Sequence, residues 1–269
     1  MTWLGDAARL RRDRRPAVLI TQIGVRGHAP REAGAKMIAS ADGEFGTIGG
    51  GNLELTAIAR ARAMIHDGVT VPETLTLRLN DKARAEHGRQ CCGGEVVIVL
   101  EPLPVVPAVA IFGIGHVGLE LARILSRQDI ELHLTDSRPE QITAAAQLEP
   151  GEATVHLRHS MLPESILEEL PAGTHVLIMT HDHAEDFNLC DQALRTPGLG
   201  SIGLIGSSAK WSRFRTLLTD SGHEAEAIRT IQSPIGLSTL VGKHPATIAV
   251  SVAADLLTRF PISVPGEHS

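Results

Sequence analysis

The chain has 269 residues, a net charge of −6, 43% hydrophobic residues and 21% charged residues. At about 150 residues per domain this length argues for two domains, whose cores can bury about 70–75% of the unfolded chain's surface without disulfides. The acidic balance, with five Phe, two Trp and no Tyr, excludes a general nucleic-acid binder, which needs a basic face and stacking platforms, and the missing Tyr excludes any mechanism built on a phenol.

From Met1 the chain runs into Arg9, Arg11, Arg12, Arg14 and Arg15 with no apolar stretch before a small-residue cleavage site. No secretory leader is therefore expected, and the arginines read as a solvated helix face. No window holds the ~18 apolar residues of a membrane span. Residues 17–23 read as a buried strand, followed by a Gly- and Arg-rich loop at 24–34, a strand at 35–40 and a turn at Asp42-Gly43. Gly49, Gly50 and Gly51 then enter a helix in which Leu53, Ala57, Ala61 and Met64 share one face. Arg26, Arg31 and Lys36 with Gly49, Gly50 and Gly51 read equally as an anion cradle, built of cationic forks and exposed N–H groups, or as two tight turns. Further strands are expected at 74–79 and 96–100.

Between those strands lies Gln90-Cys91-Cys92-Gly93-Gly94. Adjacent cysteines rarely bridge, because a disulfide strains the peptide between them. Beside Arg89 and two glycines they read as accessible thiols whose thiolate is favoured, fit to ligate a soft metal or to carry sulfur as a persulfide. The third cysteine, Cys190, reads as core. Three cysteines make no disulfide framework, so a reducing, cytoplasmic compartment is expected.

Pro102, Pro104 and Pro107 mark an extended connector at 102–107. It divides an N-terminal α+β domain at 1–101 from a second domain at 108–269. In the second, short apolar runs at 108–112, 175–180 and 201–205 and a strand-like stretch at 130–135 alternate with turns and helical periodicity, and 245–259 reads as a closing helix with Pro245 in its first turn. The expected fold is α/β, a Rossmann-like parallel sheet with helices on both faces beside a smaller N-terminal α+β domain. Gly113, Gly115 and Gly118 form a GxGxxG run between a strand and a helix, with Asp136 closing the next strand. This is the dinucleotide fingerprint: a tight turn, close approach of a pyrophosphate, and close helix packing. Asp136 would accept from ribose hydroxyls and repel a 2′-phosphate, favouring NAD; the same glycines would equally serve a scaffold without nucleotide. Thr180-His181-Asp182-His183 falls at the carboxyl end of a strand, where such sheets bind ligands. With Cys190 in the core, His181 reads as a ligand contact rather than part of a metal site.

These stretches, with Pro30-Arg31-Glu32-Ala33-Gly34-Ala35-Lys36-Met37, Gly49-Gly50-Gly51-Asn52-Leu53-Glu54, Cys92-Gly93-Gly94, Ile202-Gly203-Leu204-Ile205-Gly206-Ser207, Ser233-Pro234-Ile235-Gly236-Leu237, Pro245, Ile248 and Ala249, resemble the XdhC/CoxI family over nearly the whole chain. The segment 238–244 departs from the acidic Asp-Ile-Gly pattern of the wider family. The resemblance implies an accessory protein, not a catalyst. It implies a chaperone that binds the molybdenum cofactor (molybdopterin), holds it while a cysteine desulfurase system supplies sulfur, and delivers it to the molybdenum subunit of xanthine dehydrogenase. On that reading the glycine and arginine loops grip the cofactor's phosphate and Cys91 or Cys92 meets molybdenum or handles sulfur; a homodimer is expected, with no nucleic-acid or membrane partner. Two alternatives stay open. One is an NAD-dependent oxidoreductase with His181 and His183 as acid–base groups, although no Tyr-x-x-x-Lys pair exists. The other is an NAD-sensing module that reads the nucleotide through Asp136 and responds through the thiols.

Overall fold

The computed structural model describes residues 2–79, 94–240 and 242–260. They divide into two compact units, one holding the described residues up to Val105 and the other Val106–Phe260.

The first unit runs α1 (Trp3–Arg12), β1 (Ala17–Arg26), β2 (Lys36–Ser40), β3 (Glu44–Gly46), α2 (Gly51–His66), β4 (Glu73–Leu79) and β5 (Gly94–Leu103). Its sheet has the order β3-β2-β1-β5-β4, and every pair is antiparallel. Alternation along β1 sends Val18 and Ile20 to one face, where α2 buries Leu53, Ala57, Ala61 and Met64 against them. The other face receives Ala17 and Leu19, covered by Leu10 of α1; burying a leucine of this kind stabilises by about 1.5–3 kcal/mol. The helix face read from the sequence is thus the buried face of α2. β1 outruns its expected end because a register shift between Gln22 and Gly24 lets pairing with β5 continue to Arg26. β5 likewise extends through Pro102 and Leu103, which pair with Val18 and Ala17, so two residues of the expected connector are strand.

The second unit runs β6 (Ala108–Phe112), α3 (His116–Leu125), β7 (Glu131–Asp136), α4 (Pro139–Ala145), β8 (Thr154–His159), a 3-10 turn (Pro163–Glu169), β9 (His175–Ile178), α5 (His183–Arg195), β10 (Ser201–Leu204), α6 (Ser208–Asp220), α7 (Ala225–Arg229), β11 (Ile231–Gln232) and α8 (Pro245–Leu257). The sheet order is β11-β10-β9-β6-β7-β8, with all pairs parallel. Counted within the unit this is the doubly wound order 3-2-1-4-5-6, in which the chain reverses direction beside the first strand. That strand, β6, is buried at every residue, as a central parallel strand covered on both faces must be. Val109 and Ile111 pack with α3 and α8, while Ala110 and Phe112 pack with α5 and α6. The α/β class with helices on both faces is as the alternating pattern predicts. Trp3 lies on α1 of the first unit, and Trp211 on α6 packs against the second unit's core. Among the described residues no helix is long and apolar enough to cross a membrane.

Candidate functional site

The reversal between β6 and β9 opens a crevice at the carboxyl ends of the strands, where the glycine loop lies. Gly113 has φ +98°, and a Cβ there would lie 2.4 Å from the Met179 carbonyl oxygen. A Cβ on Gly118 would lie 2.2 Å from the Gly113 carbonyl oxygen. Backbone packing alone therefore demands both. Gly115 is different: its φ is −74°, and a Cβ there would meet nothing within 4 Å. It begins α3 as the N-cap, and no side-chain cap serves that end. Neither strain nor a clash requires glycine at this position; glycine is a favoured N-cap residue, and its missing Cβ leaves the helix N-terminus open.

Asp136 stands at the end of β7, where the sequence places it, but its carboxylate is turned inward. It is 1% exposed. Its Oδ2 accepts from the Ile114 N–H at 2.6 Å and from Arg138 Nη2 at 2.9 Å. Its Oδ1 accepts from the Arg138 N–H and Nε, both at 2.9 Å. Burial pushes this carboxyl up, yet the hydrogen bonds from Arg138 and Ile114 and the guanidinium charge outweigh burial and hold it below its ordinary value. The expected role is corrected accordingly: four donors already fill Asp136, so it shapes the glycine loop instead of offering free lone pairs to a ribose. Nor is its charge left to repel a 2′-phosphate, since Arg138 neutralises it bidentately.

Ser137, the next residue, donates its hydroxyl to Glu185 Oε2 at 2.8 Å, joining the end of β7 to the first turn of α5. Burial, helped by the charges of Asp136 and Asp186, pushes the Glu185 carboxyl above its ordinary value against the opposing pull of Ser137 and His181. In the Thr180–His183 stretch Asp182 caps α5, accepting from the Ala184 and Glu185 N–H groups at 2.7 and 3.0 Å. His181 and His183 are exposed, whereas Cys190 is fully buried on the core side of the same helix, its thiol pushed up to about 12 by burial. Cys190 is core, as its spacing on the helix predicts.

A buried ionic network beneath the crevice escaped the sequence reading. Asp186 is fully buried and accepts from the Thr180 N–H at 3.0 Å and hydroxyl at 2.8 Å. Lys210 of α6 pairs with it and donates to the Ile205 carbonyl at 3.0 Å. The only signal was a charge on an otherwise apolar helical face. Beside β10, a cleft of about 730 Å³ is lined by Ile205, Gly206, Ile235, Leu237, Ile248 and Asp255 among others. Gly236, at φ +88°, brings the loop after β11 onto α8, where Ser251 Oγ accepts from the Leu237 N–H at 2.9 Å. Ile205 and Gly206 of the motif at 202–207 and residues 234–237 of the motif at 233–237 wall this cleft.

In the first unit the triple glycine does form an anion cradle, but its anion is internal. Glu54 Oε1 accepts from the N–H groups of Ile48, Gly49 and Gly50 at 2.8, 3.0 and 2.7 Å. Burial pushes the Glu54 carboxyl up, and the Thr47 hydroxyl with these three N–H groups pulls it below its ordinary value. The expected external cradle at Gly49 and Gly50 is corrected on this ground; the carboxylate occupies it. Lys36 donates to Thr21 Oγ1 at 2.9 Å, leaving Arg26 and Arg31 as exposed cations of the loop. A Cβ on Gly94 would lie 2.2 Å from the His28 carbonyl oxygen and 2.9 Å from that of Arg26, so the loop presses on the residue that ends the Cys92-Gly93-Gly94 run. Cys91 and Cys92 themselves lie outside the described residues.

Fold and glycine loop together define a Rossmann-type α/β unit joined to an antiparallel α+β unit. The family model for the XdhC Rossmann domain matches residues 109–256, more than half of the chain, and that for the XdhC and CoxI family matches residues 10–78. The chain belongs to the XdhC and CoxI family. It is 25% identical over 257 residues to YqeB of Escherichia coli (strain K12), described as an uncharacterized protein, covering 94% of this chain and 45% of YqeB. The chain therefore spans less than half the length of that relative. Among solved structures, one described as a xanthine dehydrogenase from Bacillus halodurans is 20% identical with a TM-score of 0.48, covering 98% of each chain. A short-chain dehydrogenase/reductase from Corynebacterium glutamicum is 17% identical with a TM-score of 0.36, over 58% of this chain and 94% of that one. Both structural likenesses are weak.

Proposed function

We propose that this protein is a non-catalytic accessory factor of xanthine dehydrogenase. It holds the molybdenum cofactor while a cysteine desulfurase supplies sulfur, and hands it to the molybdenum subunit of the dehydrogenase. On this reading it works in the cytoplasm as a homodimer. Family membership, matched in both units, supports the accessory role. The observation that supports ligand holding is the start of α3, whose main-chain N–H groups have no side-chain cap and open beside Gly115, where no Cβ stands in the way.

Molybdopterin bears a phosphate, and the chemistry of the crevice fits one: main-chain donors at the start of α3 with the Arg138 guanidinium nearby on the Asp136 carboxylate. When bound, the cofactor supplies the molybdenum–dithiolene chemistry; the chain's own residues bind, orient and shield it. Gly115 admits the phosphate, Asp136 holds the loop that presents the donors, and His181 lines the open side. In the first unit, Cys91 or Cys92 is proposed as the sulfur carrier, and Arg26 and Arg31 as exposed cations.

Anaerobic purification from a molybdenum-replete host tests this reading. The protein is expected to retain a pterin that gives the fluorescent oxidation product of molybdopterin, and to raise the activity of cofactor-free xanthine dehydrogenase. Absence of both, or an undiminished pterin content in a Cys91→Ala/Cys92→Ala variant, removes the holder or its thiol respectively. The strand order and glycine loop favour one second reading, a bound nucleotide in the same crevice. Micromolar NADH binding with turnover of a small carbonyl would make the protein an NAD-dependent oxidoreductase, whereas NADH-dependent thiol reactivity without turnover would make it a sensor.

A further inference from the structure

At the other end of the second unit's sheet, three potential metal ligands converge that no reading of the crevice uses. Alternation along β7 directs Leu132 and Leu134 into the core, and places Glu131 and His133 together on the opposite face. Parallel pairing sets His156 of β8 directly beside His133. The two imidazoles stack with centroids 4.6 Å apart and an interplanar angle of 14°, and His133 Nε2 lies 3.8 Å from Glu131 Oε2. One donor atom from each of the three residues lies within 4.8 Å of the other two.

We propose that Glu131, His133 and His156 bind a single divalent metal ion of the zinc class. Zinc bonds of about 2.0–2.2 Å to nitrogen and oxygen in a tetrahedron put neighbouring donors about 3.3 Å apart. Because a metal must lie in the plane of each imidazole, chelation requires the two stacked rings to turn out of parallel while the donor separations close to that value. Two imidazoles and one carboxylate leave at least one coordination position open, as in three-ligand zinc sites and 2-His-1-carboxylate iron sites. The set has no thiolate, so it discriminates against the soft metals that cysteines select. His133 is 6% exposed, on a face where the fold alone would be served by another apolar side chain, as it is by Leu132 and Leu134 on the reverse.

Position makes this site distinct from the crevice. Glu131 opens β7 and Asp136 closes it; three and five residues at about 3.3 Å each set His133 and Glu131 about 10 and 16 Å from Asp136 along the strand. A metal here would clamp the edge strand β8 to its neighbour, and its binding is independent of whether the crevice holds a pterin, a nucleotide or neither.

The test uses the full chain, stripped with a chelator and titrated with Zn²⁺ by calorimetry and with Co²⁺ by visible absorption. One equivalent is expected to bind, with d–d bands of low-symmetry nitrogen–oxygen coordination, no thiolate charge-transfer band, and a raised melting temperature. His156→Ala and Glu131→Gln should each weaken Zn²⁺ by more than about tenfold; both sit at the less enclosed rim and leave the buried His133 in place, so folding is preserved and can be checked by circular dichroism. A thiolate band in the wild type, no binding at micromolar Zn²⁺, or undiminished affinity in both variants overturns the proposal.

Discussion

At the scale of single residues, burial decides what each charged group can do. Lys210 and Asp186 have side chains 12% and 1% exposed, so each is the other's answer to desolvation. Lys210→Met should lower unfolding free energy by about 3–5 kcal/mol, because it leaves a buried carboxylate without its cation; adding Asp186→Asn should restore part of that loss. Denaturant titration of the single and double variants checks both. The glycines divide just as sharply. Gly118→Ala drives a Cβ into the Gly113 carbonyl and should cost about 1–3 kcal/mol. Gly115→Ala should cost less, about 0.5–1 kcal/mol, because alanine is a poorer N-cap than glycine, while weakening whatever ligand the crevice takes. Glu54 supplies a pH signature. Its carboxyl is held below the ordinary value of 4.5, so its stabilisation is present above that value and is lost as pH falls through the lowered one. Glu54→Gln should therefore be less stable than the wild type at neutral pH, and the gap should close on acidification. Glycines, the strand-end Asp136 and the histidines at 181 and 183 were legible in the sequence, because turns and strand ends announce themselves locally. Which donors Asp136 meets, and that Glu54 occupies the triple-glycine cradle, depend on directions that spacing does not encode.

At the scale of elements, periodicity carried the central strands and helices. β6, β7, β9 and β10 start within a residue of where the sequence places them: β6 is buried at every residue and reads as an unbroken apolar run, whereas β7 alternates Leu132 and Leu134 with Glu131 and His133. β8 was missed for the converse reason: at the sheet edge Val155 and Leu157 are each 37% exposed, and four of its six residues are polar. β3 and β11, of three and two residues, are shorter than any pattern can register; partners, not propensity, make them strands. The histidine pair needed β8 to be seen at all, which is why two residues 23 positions apart raised no signal. α5 gives an element-level prediction. Its core face buries Cys190, with the thiol pushed up to about 12, so in a Cys91→Ser/Cys92→Ser variant a thiol reagent should react negligibly with the native protein and with one equivalent after unfolding.

At the scale of the whole molecule, each unit has its own core: Val18, Ile20, Leu53 and Met64 in the first, Val109, Ile111, Leu121 and Val252 in the second. A lesion should therefore destabilise the unit that contains it. The two tryptophans make that measurable. Trp3 belongs to the first unit and Trp211 to the second, and no tyrosine contributes emission. Replacing either by phenylalanine leaves a single intrinsic fluorophore on a known side of the chain. A titration of Trp3→Phe against Trp211→Phe protein would then report, without any attached dye, which half of the molecule senses pterin, nucleotide or zinc.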